Sequence, residues 1–93
     1  MIAHDGELSL AGTTVFLNRL VNQQREQVLR IKALARFRER PGQAAVLHAV
    51  QNKFYPVDWL TQWPDEDPRC RFVFIGRGLD RTLIDESFRA LCV

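Results

Sequence analysis

The chain has 93 residues, of which 46% are apolar and 26% are charged, and these proportions exclude wholesale disorder. A chain of this length forms a single domain over residues 1–93 with one modest core, which leaves no room for a nucleotide-binding domain beside a second domain. Thirteen Lys and Arg against 11 Asp and Glu give a net charge of +2. That excess is too small by itself to indicate nucleic acid or an anionic membrane as a partner.

The sequence shows no sign of export or membrane insertion. Residues 1–12 contain acidic side chains and lack the basic and apolar regions of a signal peptide. The longest uncharged stretch, residues 41–52, is too short to span a bilayer. Cys70 and Cys92 are far apart in sequence, which is typical of reduced thiols, and a disulfide between them is the alternative. We therefore expect a cytoplasmic protein with no membrane partner.

The N-terminal part of the chain changes its hydrophobic period. Apolar and polar residues alternate over residues 7–10, which predicts a short strand. From there the apolar residues recur at helical spacing, which predicts a helix over residues 14–27. Thr13 or Thr14 is expected to cap that helix, because a hydroxyl there accepts a hydrogen bond from an amide of the first turn.

Alternation returns over residues 29–38 and predicts a second strand. Its apolar face consists of Leu29, Ile31, Ala33, Ala35 and Phe37. Its other face consists of Arg30, Lys32, Leu34, Arg36 and Arg38. Residues 40–43 contain Pro and Gly in a turn pattern, and residues 44–51 form the return strand. Residues 29–52 are therefore predicted to form a β-hairpin.

The C-terminal part holds a long irregular segment, a strand and a helix. Residues 53–69 contain three prolines and several aromatic residues, and we expect one helical turn at residues 57–62. Residues 71–75 are apolar on both faces, which predicts a strand in the centre of the sheet. Asp80 is expected to cap a helix that ends near Leu91. Its inward stripe is predicted to contain Leu83, Ile84, Ser87, Phe88 and Leu91.

The predicted order of elements is β-α-β-β-loop-β-α. Helices separated from antiparallel strands make an α+β fold. We expect an open-faced sandwich in which a mainly antiparallel sheet carries both helices on one face.

The sequence contains none of the common catalytic motifs. There is no P-loop, no G-x-S-x-G and no H-E-x-x-H. Residues 76–78 read Gly-Arg-Gly and lack the third glycine of a phosphate-binding loop, so we interpret them as a turn. His4, His48, Cys70 and Cys92 do not have the spacing of a zinc site. We predict no catalytic, cofactor-binding or metal-ligating residue, no tightly held zinc and no GTP binding by this chain alone.

Two surface features remain as candidate binding sites. The first is the basic strand face, with Arg30, Lys32, Arg36 and Arg38. It is either a solvated sheet face or a site for RNA or a phosphate-bearing ligand, and the lack of an aromatic RNA-binding motif favours the former.

The second feature is an acidic stretch that follows Trp63 and consists of Asp65, Glu66 and Asp67. A solvated turn is one interpretation, and a contact with a cation or partner is the other. We expect Trp63 to anchor this loop by packing its indole, and an exposed binding position is the alternative.

Four stretches together resemble the C-terminal domain of the CobW-like GTPases. They are Leu29-Arg30-Ile31-Lys32, Leu47-His48-Ala49-Val50-Gln51, Trp63-Pro64-Asp65-Glu66-Asp67-Pro68-Arg69 and Arg71-Phe72-Val73-Phe74-Ile75-Gly76-Arg77-Gly78-Leu79-Asp80. The acidic loop and the strand-to-helix turn are the most specific of these, and the likeness runs from about Leu8 to Leu91. The family usually has Gly where this chain has Ala33 and Ala49, which puts in doubt any close backbone approach there.

The resemblance implies a function for the domain. CobW-like proteins act in metal homeostasis, including zinc delivery, and in cobalamin biosynthesis. Their N-terminal GTPase domain carries a P-loop and a Cys-x-Cys-Cys motif, neither of which this chain contains, so GTP, magnesium and zinc are implied only for that domain.

We expect a non-enzymatic regulatory and protein-interaction domain whose partner is the GTPase domain, a client metalloprotein or a second copy of itself. An independent nucleic-acid or anion-binding module that uses the basic face of strand 29–38 is the alternative. The candidate interaction surface comprises Arg30, Lys32, Arg36, Arg38, Trp63, Asp65, Glu66 and Asp67.

Overall fold

Two helices and six strands make up the computed structural model, which describes residues 1–51 and 53–91. In chain order the elements are β1 (Ile2–His4), α1 (Leu10–Gln23), β2 (Val28–Ala35), β3 (Ala44–Val50), β4 (Lys53–Phe54), β5 (Asp58–Leu60), β6 (Cys70–Gly76) and α2 (Arg81–Leu91). The strands pair antiparallel in the order β1-β6-β2-β3-β4, and β5 also pairs with β3. The α+β fold predicted from the sequence is confirmed.

The core lies between one face of the sheet and the two helices. Strand alternation turns Ile31 of β2 and Phe72 of β6 toward the helices, and both are almost fully buried. Phe16 of α1 meets the rings of Phe72 and Phe88 edge to face, with centroids 6.3 and 5.6 Å away. These aromatic contacts hold α1 and α2 on the same side of the sheet, so neither of the described helices covers the opposite face.

The start of α1 differs from the prediction. Residues 7–10 form no strand, because Leu8 makes a single parallel bridge to Phe37 and the helix already begins at Leu10. Ser9 is the cap, since its hydroxyl accepts a hydrogen bond from the Gly12 amide at 3.1 Å. The predicted caps Thr13 and Thr14 therefore lie inside the helix, which ends at Gln23, four residues earlier than predicted.

The predicted hairpin is confirmed as β2 and β3, apart from residue 52, which lies outside the described residues. A register shift between Val28 and Arg30 changes the start of the apolar face. Val28 is buried in place of Leu29, which is 39% exposed. Gly42 has φ +79°, a value that suits glycine, and completes the predicted turn.

Two short strands interrupt the segment that was predicted to be irregular. The predicted helical turn at residues 57–62 is wrong, because β5 occupies residues 58–60 and pairs with β3. Trp59 lies opposite Ala45 and contacts the ring of Phe37, with centroids 6.1 Å apart. The extended backbone places Trp59 against the core, whereas a helical turn would have lost these pairing hydrogen bonds.

The last strand and helix are close to their predicted positions. β6 lies between β1 and β2, so it is an interior strand, but only one of its faces is covered. Asp80 caps α2 as predicted, because its Oδ1 accepts a hydrogen bond from the Leu83 amide at 3.1 Å. Of the predicted inward stripe, Ile84 and Phe88 are fully buried. Neither of the described helices is long and apolar enough to cross a membrane.

Candidate interaction surface

The sheet face that points away from the helices is solvent-accessible, and we call it the open face. The strand register builds it from three cross-strand rows. They are Ile75, Arg30 and Val50; Val73, Lys32 and His48; Arg71, Leu34 and Val46. Each row combines one or two apolar side chains with one or two basic or imidazole groups. The surface can therefore offer both apolar contact and positive charge to a partner.

Two apolar side chains on the open face are unusually accessible for a sheet interior. Ile75 is 48% exposed and Val73 is 36% exposed, although both belong to an interior strand. Arg30 and Lys32 lie beside them on β2, and neither makes an ion pair within residues 1–51 and 53–91. Exposed apolar side chains that lie together can mark a surface that binds another macromolecule.

A row of stacked side chains continues the open face toward the β4 edge. The Tyr55 ring stacks on His48 with centroids 5.3 Å apart, and the Lys53 ammonium lies 5.6 Å from the Tyr55 ring centroid. His48 lies opposite Lys32 in the register. This edge of the open face is therefore basic and aromatic together.

The acidic loop, residues 63–69, lies against one end of the open face. Both carboxylate oxygens of Asp65 accept hydrogen bonds from Arg71, at 2.8 and 3.0 Å. Asp67 accepts two from the Arg69 side chain, at 2.9 and 3.0 Å. Each of these two aspartates is therefore paired with an arginine of its own chain, while remaining partly exposed to solvent. The exposed side chain of Glu66 has no ion-pair partner in the described part of the chain.

Asp67 is held by both the side chain and the backbone amide of Arg69. Hydrogen bonds from the Arg69 side chain, and then from the Arg69 backbone amide at 3.1 Å, lower the pKa of Asp67 from 3.8 to about 2. The carboxylate is therefore ionised throughout the physiological range and fixes the turn into β6.

Trp63 is half-buried and makes contacts at its face and at its edge. Its indole N–H donates to the backbone carbonyl of Asp67 across the loop. The guanidinium carbon of Arg36 lies over the ring, 4.5 Å from its centroid. These two contacts support the predicted anchoring role, with the indole edge closing the loop and its face holding Arg36.

Two of the four predicted basic residues belong to β2, and the other two follow the end of that strand. Arg30 and Lys32 remain on the open face, whereas Arg36 is engaged by Trp63. β2 ends at Ala35, and Arg38 lies beyond it and lines a groove together with residues of α1 and α2. The predicted strand 29–38 is therefore three residues too long, and Arg36 and Arg38 follow its end.

Sequence reasoning missed Arg71, Val73 and Ile75 as surface residues. The run 72–75 is apolar throughout, and a run of that kind carries no period that tells a covered face from an exposed one. The charged Arg71 was the available signal, because Val73 and Ile75 follow it at intervals of two residues and share its side of the strand. It shows that the odd-numbered positions of β6 point away from the core.

The described residues contain no group of three or more His, Cys, Asp or Glu side chains that could hold a metal ion. Cys70 is fully buried, and burial raises the pKa of its thiol. Its Sγ accepts a hydrogen bond from the Arg36 amide at 3.2 Å and donates to the Gly6 carbonyl at 3.4 Å, which is a structural role. Cys92, the other predicted thiol, lies outside the described residues.

Comparison with known proteins identifies what the chain is similar to. The family described as the cobalamin synthesis protein cobW C-terminal domain matches residues 1–92. Among solved structures, the fold is similar to a Zn(II)-bound triple mutant of the YjiA GTPase, with a TM-score of 0.84 and 24% identity. The Zn(II)-bound YjiA GTPase from E. coli gives a TM-score of 0.83 and 23% identity. The chain is covered to 97% in both cases but spans only 28% of each solved chain.

Proposed function

The chain belongs to the cobW C-terminal domain family, and on that premise we propose that it is a non-enzymatic interaction and regulatory domain of a CobW-like GTPase. Its proposed first partner is the GTPase domain. The segment similar to this chain makes up 28% of the solved GTPase chains, so such a domain works beside a much larger remainder.

The observation that carries the proposal is the open face. Ile75 and Val73 expose apolar area there, and burying it against a partner contributes about 25 cal/mol per Å². Arg30 and Lys32 add positive charge at the same place, so the complementary surface is apolar at its centre and carries carboxylates at its rim. A catalytic role would need convergent reactive groups, whereas the groups on this face suit recognition.

The wider biological role is part of the same proposal. A CobW-like GTPase would act in zinc or cobalt homeostasis or in cobalamin biosynthesis, in the cytoplasm, with a client metalloprotein as its final target. GTP, magnesium and zinc would be bound by the GTPase domain. A second copy of this domain is the other candidate occupant of the open face.

Calorimetric titration of this domain with the CobW-family GTPase domain of the same organism tests the proposal. We expect saturable binding, and we expect Ile75→Glu to weaken it at least about tenfold, because a carboxylate would be buried against apolar surface beside the partner's own acidic rim. Val15→Glu is the matched control, since Val15 is 55% exposed on α1, on the helix side of the sheet. Equal affinities for the two variants, or no binding by the wild type, would contradict the proposal.

A nucleic-acid or anion-binding function is favoured only by Arg30 and Lys32, which make no ion pair in the described part of the chain. A gel-shift titration at several salt concentrations distinguishes it from protein interaction. A nucleic-acid binder loses affinity steeply as salt rises, because binding releases counterions from the phosphates. We expect no shift in mobility even at low salt, since Arg36 and Arg38 do not extend the charged surface.

A further inference from the structure

A cleft lies beside α1 and shares only His48 and Tyr55, at the β4 edge, with the open face. It lies between α1 and the chain that leads from β3 through β4 to β5, and its volume is about 260 Å³. Its walls are mainly apolar and are formed by Leu10, Leu17, Phe37, Leu47, Phe54 and Val57. Phe54 is 38% exposed, so the cleft is open to solvent on the side of the sheet edge.

One wall of this cleft holds a buried hydroxyl without a hydrogen-bond partner. Thr13 lines the cleft and is only 1% exposed, yet its Oγ1 has no partner among the described residues. The neighbouring Thr14 behaves differently, since its Oγ1 donates to the Leu10 carbonyl at 2.9 Å. A buried hydroxyl that makes no hydrogen bond destabilises the fold, and native structures rarely leave one unpaired. A ligand group that pairs with Thr13 would remove this cost.

We infer that the cleft binds a single aromatic ring that carries one hydroxyl group. An apolar cavity of about 150 Å³ is large enough for benzene in another protein, so one substituted ring fits a volume of about 260 Å³. The ring would contact Phe54 and Leu47 among the apolar walls. Its hydroxyl can both donate and accept, so it suits the Thr13 hydroxyl in either orientation.

An aromatic ring with one hydroxyl group can come from two sources, a free phenol or the tyrosine side chain of a partner protein. Both present the same ring and hydroxyl, and they differ in the backbone amides that accompany tyrosine. The inference does not depend on the GTPase partner, because it rests on Thr13 and the apolar walls of the cleft and not on Val73 or Ile75 of the open face.

Titration of the isotope-labelled domain with p-cresol and with toluene, followed by NMR, tests this inference. The two probes have the same ring and methyl group and differ by the hydroxyl. We expect saturable binding of p-cresol with shifts at Thr13 and Leu47. Thr13→Val removes only the protein hydroxyl and keeps its shape, so the ratio of p-cresol affinity to toluene affinity should fall about fivefold.

Thr14→Val is the matched control and should leave that ratio unchanged, because the Thr14 hydroxyl already donates to the backbone. Val57→Phe should fill the cleft and abolish binding of both probes, which tests the site without touching Thr13. If N-acetyltyrosinamide binds the domain at least as tightly as p-cresol does, the ligand is a tyrosine side chain. If it binds more weakly, the ligand is a free phenol. No saturation by p-cresol, or an unchanged affinity ratio in a folded Thr13→Val variant, would overturn the inference.

Discussion

The charged side chains of the acidic loop are held by arginines from the same stretch of chain. Arg69 and Arg71 follow the aspartates within six residues, so little loop-closure entropy is lost when they pair. Each pair is exposed enough that its own contribution to stability is small. Among the described residues, Glu66 is then the acidic side chain of the loop without an ion pair.

The dependence of stability on acid pH should reveal the Asp67–Arg69 contact. The pKa of Asp67 is lowered from 3.8 to about 2 in the folded chain by hydrogen bonds from Arg69. Because the folded pKa is the lower one, the contact stabilises the fold above about pH 4 and this contribution is lost as the pH falls toward 2. Denaturant unfolding at several pH values should show the stability difference between wild type and Asp67→Asn shrinking over that range. A difference that stays constant down to about pH 2 would contradict this assignment.

Replacement of Trp63 tests whether the indole anchors the loop in the free domain. Trp63→Ala removes half-buried apolar area, the hydrogen bond to Asp67 and the contact with Arg36. We expect the free energy of unfolding to fall by about 2 kcal/mol, less than for a fully buried tryptophan. Glu66→Ala is the control and should change stability by less than about 0.5 kcal/mol, since its side chain is exposed. An unchanged denaturation midpoint for Trp63→Ala would instead favour a role in partner binding.

Among the elements, β6 and the turn after α1 approach each other closely at Gly76. A Cβ atom built there would lie 1.9 Å from the backbone oxygen of Gln27, and the next residue, Arg77, donates to that same oxygen at 2.9 Å. The buried Gln24 adds a second link, because its side-chain oxygen accepts from the Asp80 amide at 3.0 Å. The end of α1 is thereby tied to the start of α2 through the end of β6.

Gly76→Ala should therefore be strongly destabilising, by about 2–4 kcal/mol, because the obstructing atom belongs to the backbone and cannot rotate away. Gly12→Ala is an informative comparison. Its Cβ would lie 2.6 Å from Cδ1 of Leu91, which is the end of a flexible side chain, and alanine also favours the helix. We expect the free energy of unfolding of that variant, measured by thermal unfolding, to lie within about 1 kcal/mol of the wild-type value. Similar losses of unfolding free energy in Gly76→Ala and Gly12→Ala would contradict the claim that a backbone obstruction costs more than a side-chain obstruction.

Periodic elements were predictable and their ends were not. The hairpin and α2 follow from alternation and helical spacing that packing then reinforces. The start of α1 was misplaced because Ser9, Thr13 and Thr14 are all competent caps, and only the contact of Leu8 with Phe37 selects the first. β5 was missed because three residues are too few to show a period, and pairing with β3 decides their conformation.

The candidate interaction surface was likewise predictable only in part. Arg30 and Lys32 were identified by alternation, which continues to hold along β2. The pairing of Asp65 with Arg71 depends on how the loop returns to β6, and a loop with three prolines carries no period that fixes this path. The engagement of Arg36 by Trp63 is likewise a contact between segments 27 residues apart in sequence, and local pattern does not encode it.

At the scale of the whole molecule, the fold is a two-layer arrangement with one layer of helices and one exposed sheet surface. Both helices lie on the same side because the aromatic side chains of α1, β6 and α2 share one core. The sheet interior on the other side retains exposed Ile75 and Val73. These exposed side chains are the basis for our proposal that the open face is where this domain meets its partner.

Methyl NMR of the domain titrated with the GTPase domain measures that contact most directly. We predict that the methyl signals of Val46, Val73 and Ile75 on the open face shift or broaden. We also predict that those of Val15, which is exposed on α1, do not change. Changes confined to Val15 and its neighbours on the helix side, with the open-face methyl signals unperturbed at saturation, would contradict the proposal that the open face is the interaction surface.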